Sequence, residues 1–551
     1  MTNGENGGGI RASGYAVFLL FLTVLIYAQT IWFPFLHFDD IIYIANNTYT
    51  QQWKSIPSFF TSAVNSNFQI KAASMPNLYR PATSCWILFN FKLFGNNPAF
   101  WHLSAVVLYV LSWFLLWRIV KKLTGSDFIS IATAFLYALH PLHVEGVAWI
   151  AGAFVETLVA VFFLGGFLAY LRWRDDFQLR WLILCGILVL LGLLSKESAA
   201  ALPVLIVCHA LIFRKPNARQ SPGRDSLILT LGLSIPIGIY AILRRSAIHG
   251  IVAPHPLHAW SDVFRTIPLL FTTYLKNVVW PMHLSPWYDA RLLTTLGWKT
   301  FYFPLIICLA YAGITLWALR RKPLVGFFLL WWALALGPSL AGIISYANDL
   351  PVIQDRFTFV ALAGLCPLVA LAVNSLPGKT HLFGFKASSV LVVATVAAFW
   401  GILSALQVGI WRDDISLAEH GIQIAPHTLR PRVLLASELN RKGDFERAVV
   451  AYRNATELAP DHWEIFFGYG LALESSGQRP EAIRAMAHAA EISPSVSPPY
   501  LVMADLLTRD GKWQDAIKVL TRGITVAREP ELLRRQLLYI QQQGRANTQS
   551  P

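Results

Sequence analysis

Hydrophobic residues form long, nearly unbroken runs up to about residue 411 and short periodic stripes beyond it. The first run, Ala12 to His37, carries no charge and exceeds the roughly 20 helical residues that cross a hydrocarbon core. Arg11 precedes it, but no small-residue cleavage site follows before the next runs, so it reads as a retained span and not a signal peptide. Further runs lie at 98–117, 128–144, 155–171, 181–195, 198–213, 226–243, 301–319, 323–345, 357–374 and 388–410, which makes eleven predicted spans. The stretch 262–282 is interrupted by Arg265, Lys276 and Pro281, and a charge at a helix centre costs about 2.5–3.5 kcal/mol on insertion. It is expected to be an interfacial or re-entrant helix.

Loop charges support that count, because short cytoplasmic loops retain Lys and Arg. With the amino terminus inside, the cytoplasmic loops hold Arg118, Lys121 and Lys122; Arg172, Arg174 and Arg180; Arg214, Lys215, Arg219 and Arg224; Arg320, Arg321 and Lys322; and Lys379 and Lys386. A full span at 262–282 would place Arg320 to Lys322 outside. Eleven spans put the carboxyl-terminal region outside the cytoplasm.

After Ile410 a 34-residue period appears: Gly443, Gly477 and Gly511; Ala448, Ala482 and Ala516; Pro426, Pro460 and Pro494. That is the tetratricopeptide (TPR) interval, and Ala436, Gly470 and Ala504, followed by Leu439, Leu473 and Leu507, occupy its packing positions. Repeats are predicted at 429–462, 463–496 and 497–530, preceded by a half repeat and followed by a capping helix. The predicted fold is all-α: a polytopic membrane helical bundle of about eleven spans over 1–411, with a long first outer loop at 38–97, then a TPR α-solenoid over 412–545 on the extracytoplasmic side.

Composition agrees. Of 551 residues, 55% are hydrophobic and 14% charged, against about a quarter charged in soluble domains. The formal charge of +14 reflects cytoplasmic Lys and Arg and does not call for nucleic acid. The five cysteines show no metal-ligand spacing.

Candidate chemistry collects at the outer ends of the predicted spans. Asp39 and Asp40 follow the first span in FDDIIYI; Arg80 lies in YRPA of the first outer loop; His140, His143 and Glu145 lie in HPLHVEGVAW; Lys196 and Glu197 form the turn SKES. The runs flanking that turn are short, which draws it below the surface and makes Lys196 a candidate phosphate ligand. Arg244 and Arg245 oppose the positive-inside tendency, Asp289 and Arg291 lie in WYDAR, and YANDLPVIQDRF contributes Asp349, Asp355 and Arg356. The histidine spacing lacks the HExxH geometry, so these residues are expected to line a polar cavity and not to hold metal. Acids able to deprotonate a hydroxyl beside cations able to stabilise a departing phosphate suit group transfer. No Gly-rich nucleotide loop or nucleophile elbow is present.

The ordered set FDD, YRP, HPLHVEGVAWIAG, SKE and DRFTF, followed by TPR repeats, resembles the transmembrane-and-TPR O-mannosyltransferase-like proteins, which are C-type (GT-C) glycosyltransferases. The resemblance covers nearly the whole chain. It implies a membrane enzyme moving a mannose-like sugar from a polyprenyl phosphate carrier to a hydroxyl, a protein Ser or Thr, on the extracytoplasmic face, with inversion and with no cofactor or metal required. Asp39 or Asp40 maps onto the catalytic base, and by position Arg80, Lys196 and Arg356 onto the donor phosphate site. The residues themselves add Arg244 and Arg245 as phosphate-binding candidates, and His140, His143, Glu145, Glu197 and Asp289 as candidates for the cavity or acceptor side. The implied setting is the plasma or inner membrane of a bacterium or the endoplasmic reticulum of a eukaryote. The sequence departs from the family where WISGR and an acid usually stand: here Ala151, Gly152, Ala153, Phe154 and Val155 precede Glu156, and the usual ERYxY reads Asp355 to Phe359.

Two other readings compete: a membrane-anchored TPR scaffold that assembles proteins without catalysis, and a transporter, for which ionisable residues near the midplane are expected. The partners expected on the leading reading are membrane lipid, the lipid-linked sugar and a protein in the TPR groove.

Overall fold

The computed structural model describes residues 5–64, 78–214, 222–248, 259–345 and 352–549. Lys215, Arg219 and Asp349 lie outside them. The chain divides into two compact units, Met1–Asp413 and Asp414–Pro551.

In the first unit the helices are α1 (Glu5–Tyr27), α2 (Ile56–Thr61), α3 (Pro81–Phe94), α4 (Pro98–Thr124), α5 (Asp127–Ala138), α6 (Glu145–Ala148), α7 (Ile150–Asp176), α8 (Leu179–Ser195), α9 (Ala201–Ile212), α10 (Pro222–Ile248), α11 (Trp260–Val279), α12 (Phe303–Arg321), α13 (Pro323–Gly342), α14 (Leu362–Asn374) and α15 (Ala387–Ile410). Local chemistry sets their ends. Asn97 accepts the Ala99 N–H just before Pro98 opens α4, and α4 stops at Gly125 in the left-handed conformation (φ 70°). The Ser126 side chain then caps α5.

Seven helical segments are long and apolar enough to cross a membrane: 14–32, 98–124, 150–176, 227–248, 298–321, 323–342 and 387–410. They make this an integral membrane protein. The other four predicted runs are helices too, but shorter apolar ones, at 127–138, 179–195, 197–212 and 362–374. The expected run 128–144 ends early because Pro141 starts a separate 3-10 turn, Pro141–His143. The stretch at 262–282 is the single continuous helix α11, whose buried residues Val263, Thr266, Leu270, Tyr274 and Val278 recur at helical spacing. That amphipathic pattern suits an interfacial helix; a re-entrant hairpin would need a reversal that α11 lacks. The first outer loop is itself partly helical, through α2 and α3. Among the described residues the only strands are the two-residue pair His381–Leu382 and Phe385–Lys386.

α7 packs against α4 and α8 and is the most deeply buried of the seven candidate spans. Close approaches hold the bundle together. A Cβ on Gly364 of α14 would lie 2.6 Å from the Phe328 carbonyl oxygen of α13, so only hydrogen fits there.

The second unit comprises α16 (Asp414–Ile424), α17 (Leu429–Arg441), α18 (Phe445–Leu458), α19 (Trp463–Ser475), α20 (Arg479–Ile492), α21 (Pro498–Arg509), α22 (Trp513–Val526) and α23 (Glu531–Gln549). The periodic residues have one physical reason each. Gly443, Gly477 and Gly511 take positive φ (84°, 82° and 74°) between the helices of successive pairs. Ala436, Ala448, Ala482, Ala504 and Ala516 are fully buried where helices meet, and Gly470 lies against Met486.

Candidate active site

Asp39 and Asp40 precede a single π-turn at Ile41–Ala45, and their environments differ. Asp40 is buried; its Oδ2 accepts the Leu36 N–H at 3.1 Å and its Oδ1 the Ala151 N–H at 2.8 Å. Ala151 lies in the first turn of α7, whose own N-cap residue, Trp149, makes no side-chain cap bond. Asp40 thus caps α7 from a distant part of the chain, where exposed N–H groups and the helix dipole favour a carboxylate. Asp39 is only half-buried.

Beyond that turn lies a network of buried and partly buried charges drawn from six segments. Arg80, just before Pro81 opens α3, donates to Glu197 Oε2 at 3.1 Å, and Arg244 of α10 donates to Glu197 Oε1 at 3.1 Å and to Tyr240 Oη at 2.9 Å. Lys196 ends α8, at a helix terminus that favours a cation, and donates to Glu156 Oε1 of α7 at 2.6 Å. Arg356 donates its guanidinium to Glu145 Oε1 and its backbone N–H to Glu145 Oε2 at 3.1 Å. Its Nε lies 3.8 Å from Glu156 Oε1, so one oxygen of Glu156 serves both Lys196 and Arg356. Ring faces complete the setting: Lys196 lies 5.0 Å from the Phe357 ring centroid and Arg356 4.9 Å from that of Trp149.

Among the described residues four cations therefore face three carboxylates, and the Nε–H of Arg80 is buried without a hydrogen-bond partner. Burial lowers the Lys196 ammonium from its ordinary value, with Glu156 opposing and Arg80 and Arg356 reinforcing. Burial also raises Glu145 despite Arg356. Next to it, Asp355 accepts from Asn277, Ser285 N–H and Tyr288 Oη; burial and then the charge of Glu145 raise it well above the ordinary carboxylate range. Trp149 joins the two parts of the site: it precedes the turn capped by Asp40, lies under Arg356, and has a centroid 5.1 Å from that of Phe38.

The structure brings Arg80, Lys196, Glu197, Arg244, Arg356 and Glu145 together. It leaves Arg245, Asp289, His140 and His143 out of that network. Arg245 and Asp289 are exposed; in WYDAR it is Trp287 that is buried and Tyr288 that reaches Asp355. His140 and His143 do not line an open polar cavity but are fully buried, with Nε2 atoms on the carbonyls of Val278 and Phe359 and rings against Trp400 and Tyr137. Sequence reasoning had no view of Tyr240 or of the bridging role of Glu156. Tyr240 sits four residues before Arg244, one helical turn, which was the available signal.

Residues 80–249 match the family described as Dolichyl-phosphate-mannose-protein mannosyltransferase, and residues 433–497 match the tetratricopeptide repeat. A protein O-mannosyl-transferase of Caenorhabditis elegans is 23% identical over 476 residues, covering 81% of this chain and 62% of its own length. Protein O-mannosyl-transferase TMTC1 of Homo sapiens is 23% identical over 525 residues, covering 83% and 56%. This chain is a distant homologue of these protein O-mannosyl-transferases. It combines a mannosyltransferase-like segment at 80–249 with a TPR-like segment at 433–497, and it spans roughly three fifths of the length of those relatives. Among solved structures, ArnT from Cupriavidus metallidurans bound to undecaprenyl phosphate aligns with a TM-score of 0.40 at 13% identity, over 88% of this chain and 80% of that one.

Proposed function

We propose that this protein transfers a mannose-like sugar from a polyprenyl phosphate carrier to a hydroxyl, a protein Ser or Thr, on the extracytoplasmic face, with all eleven apolar runs crossing the membrane and the TPR unit outside. The observation that carries the reading is the convergence of Arg80, Lys196, Arg244 and Arg356 in one partly buried network. Three of the four fall within the segment that matches the mannosyltransferase family. Four cations gathered in one place suit the phosphate of a lipid-linked sugar, and guanidinium groups bind phosphate oxygens through paired donors.

Asp39 is the general base. Asp40 has both oxygens engaged by backbone N–H groups, whereas Asp39 is the more accessible of the two. Asp39 takes the acceptor proton as the hydroxyl oxygen attacks the anomeric carbon. The anomeric carbon–oxygen bond to phosphate breaks, its electron pair leaves on the phosphate oxygen, and the cation network stabilises the added charge. Attack opposite the leaving group inverts the configuration. The TPR groove binds the protein that presents the hydroxyl.

The test supplies full-length protein in membranes with labelled polyprenyl phosphate mannose and follows label into protein. Asp39→Asn lowers transfer by about 10²- to 10⁴-fold, the usual worth of a general base, at unchanged insertion. Transfer by Asp39→Asn at the wild-type rate would remove the base assignment, and no donor consumption by wild type would favour the TPR scaffold.

A further inference from the structure

Glu156 is the one acid of the network inside an apolar helix, a turn and a half into α7. Its side chain is 3% exposed, and that of Lys196 is 8% exposed. A buried ion pair rarely stabilises a fold better than a well-packed apolar pair does, so its presence needs another reason. The geometry gives one, because the Glu156 Oε1 that accepts from Lys196 at 2.6 Å is also 3.8 Å from Arg356 Nε.

We infer that Glu156 is a positioning residue for the phosphate site: its carboxylate holds Lys196 and Arg356 side by side, at a spacing that one phosphate oxygen can bridge. This rests on the donor-site reading above and extends it to a residue outside the loop motifs.

The surroundings of Lys196 make the inference specific. Glu156 faces it from α7, Arg80 from the chain before α3, and Arg356 with the ring of Phe357 from the 3-10 turn Asp355–Thr358. Glu197 follows it in sequence and is held by Arg80 and Arg244. α13, which packs on the same turn, carries no titratable side chain. Glu156 is thus the carboxylate in contact with Lys196, and without it burial and two neighbouring cations would all favour a neutral amine. Binding a phosphate would then require proton uptake, which becomes harder as pH rises.

The experiment measures affinity of the purified full chain for polyprenyl phosphate between pH 6 and 9, as the ratio of each variant to wild type, which cancels the carrier's own titration. Glu156→Gln weakens binding, and the deficit grows with pH by up to about tenfold per unit, the slope of one linked proton. Glu156→Asp keeps the charge and removes that slope. In a Lys196→Met background Glu156→Gln adds no pH-dependent loss. Thermal unfolding is followed in parallel, and should Glu156→Gln not fold, Glu156→Asp is expected to bind more weakly than wild type with a flat ratio. A Glu156→Gln ratio that is flat with pH, or an unaltered slope in the Lys196→Met background, would overturn the positioning role. So would wild-type binding by Glu156→Asp where Glu156→Gln does not fold. A wild type that binds no carrier at all would instead remove the donor-site reading, and this inference with it.

Discussion

In the membrane unit, ion pairs join residues 40 (Glu156 and Lys196), 47 (Glu197 and Arg244), 117 (Arg80 and Glu197) and 211 (Glu145 and Arg356) positions apart. In the TPR unit, Arg484–Glu481, Lys518–Asp515, Arg534–Glu531 and Arg447–Asp444 are exposed pairs within one helical turn. The contrast separates two uses of charge. Surface pairs on one helix form almost without cost and contribute about 0–1 kcal/mol. Pairs between helices require several helices to arrive in register, and buried ones repay little stability; their concentration around Glu156 and Glu197 is what the proposed donor site rests on.

The largest expected effect follows from leaving one partner alone. Glu145→Gln strips Arg356 of the acid that holds both its guanidinium and its backbone N–H, and should lower stability by about 3 kcal/mol, within the range for broken buried pairs, read by unfolding in detergent. Asp40→Asn comes next. An amide can still accept one of the two backbone N–H groups but presents its own donors to the other, so a loss of about 1–2 kcal/mol is expected, with the α7 amino terminus exchanging amide hydrogens faster. Asp355 gives a smaller, pH-dependent effect. Its folded pKa is raised by burial and by Glu145, so the stability it contributes is fully present below about pH 4 and is lost as pH rises through the folded value. Asp355→Asn should flatten that decline in a thermal-unfolding series. Arg484→Ala in the TPR unit should change stability by no more than about 0.5 kcal/mol. A loss as large as that of Glu145→Gln would erase the distinction between the two kinds of pair.

Regularity along the chain made much of this fold legible beforehand. Eleven apolar runs correspond to eleven helical segments, and Gly443, Gly477 and Gly511 announced turns that need positive φ. Run length did not foretell that 127–138 and 362–374 would be short helices, since a window counts apolar residues on both sides of a break such as that at Pro141. Loop position found Arg80, Lys196, Arg244 and Arg356, because a cation at the outer end of a span needs a reason. Pairing across 40 or more residues leaves no local trace. The bridging by Glu156, the capping of α7 by Asp40 and the inward reach of Tyr288 became visible only in three dimensions. His140 and His143 misled for the opposite reason: imidazoles near an acid read as chemistry, while their Nε2 atoms go to backbone carbonyls.

The most direct test of the central claim is the affinity of full-length wild type, Arg244→Met, Arg356→Met and Arg484→Ala for polyprenyl phosphate under one set of conditions. The account predicts that each of the two network substitutions weakens binding at least about tenfold, the worth of one charged hydrogen bond, while Arg484→Ala binds as wild type does. Equal affinity in all four proteins would contradict it.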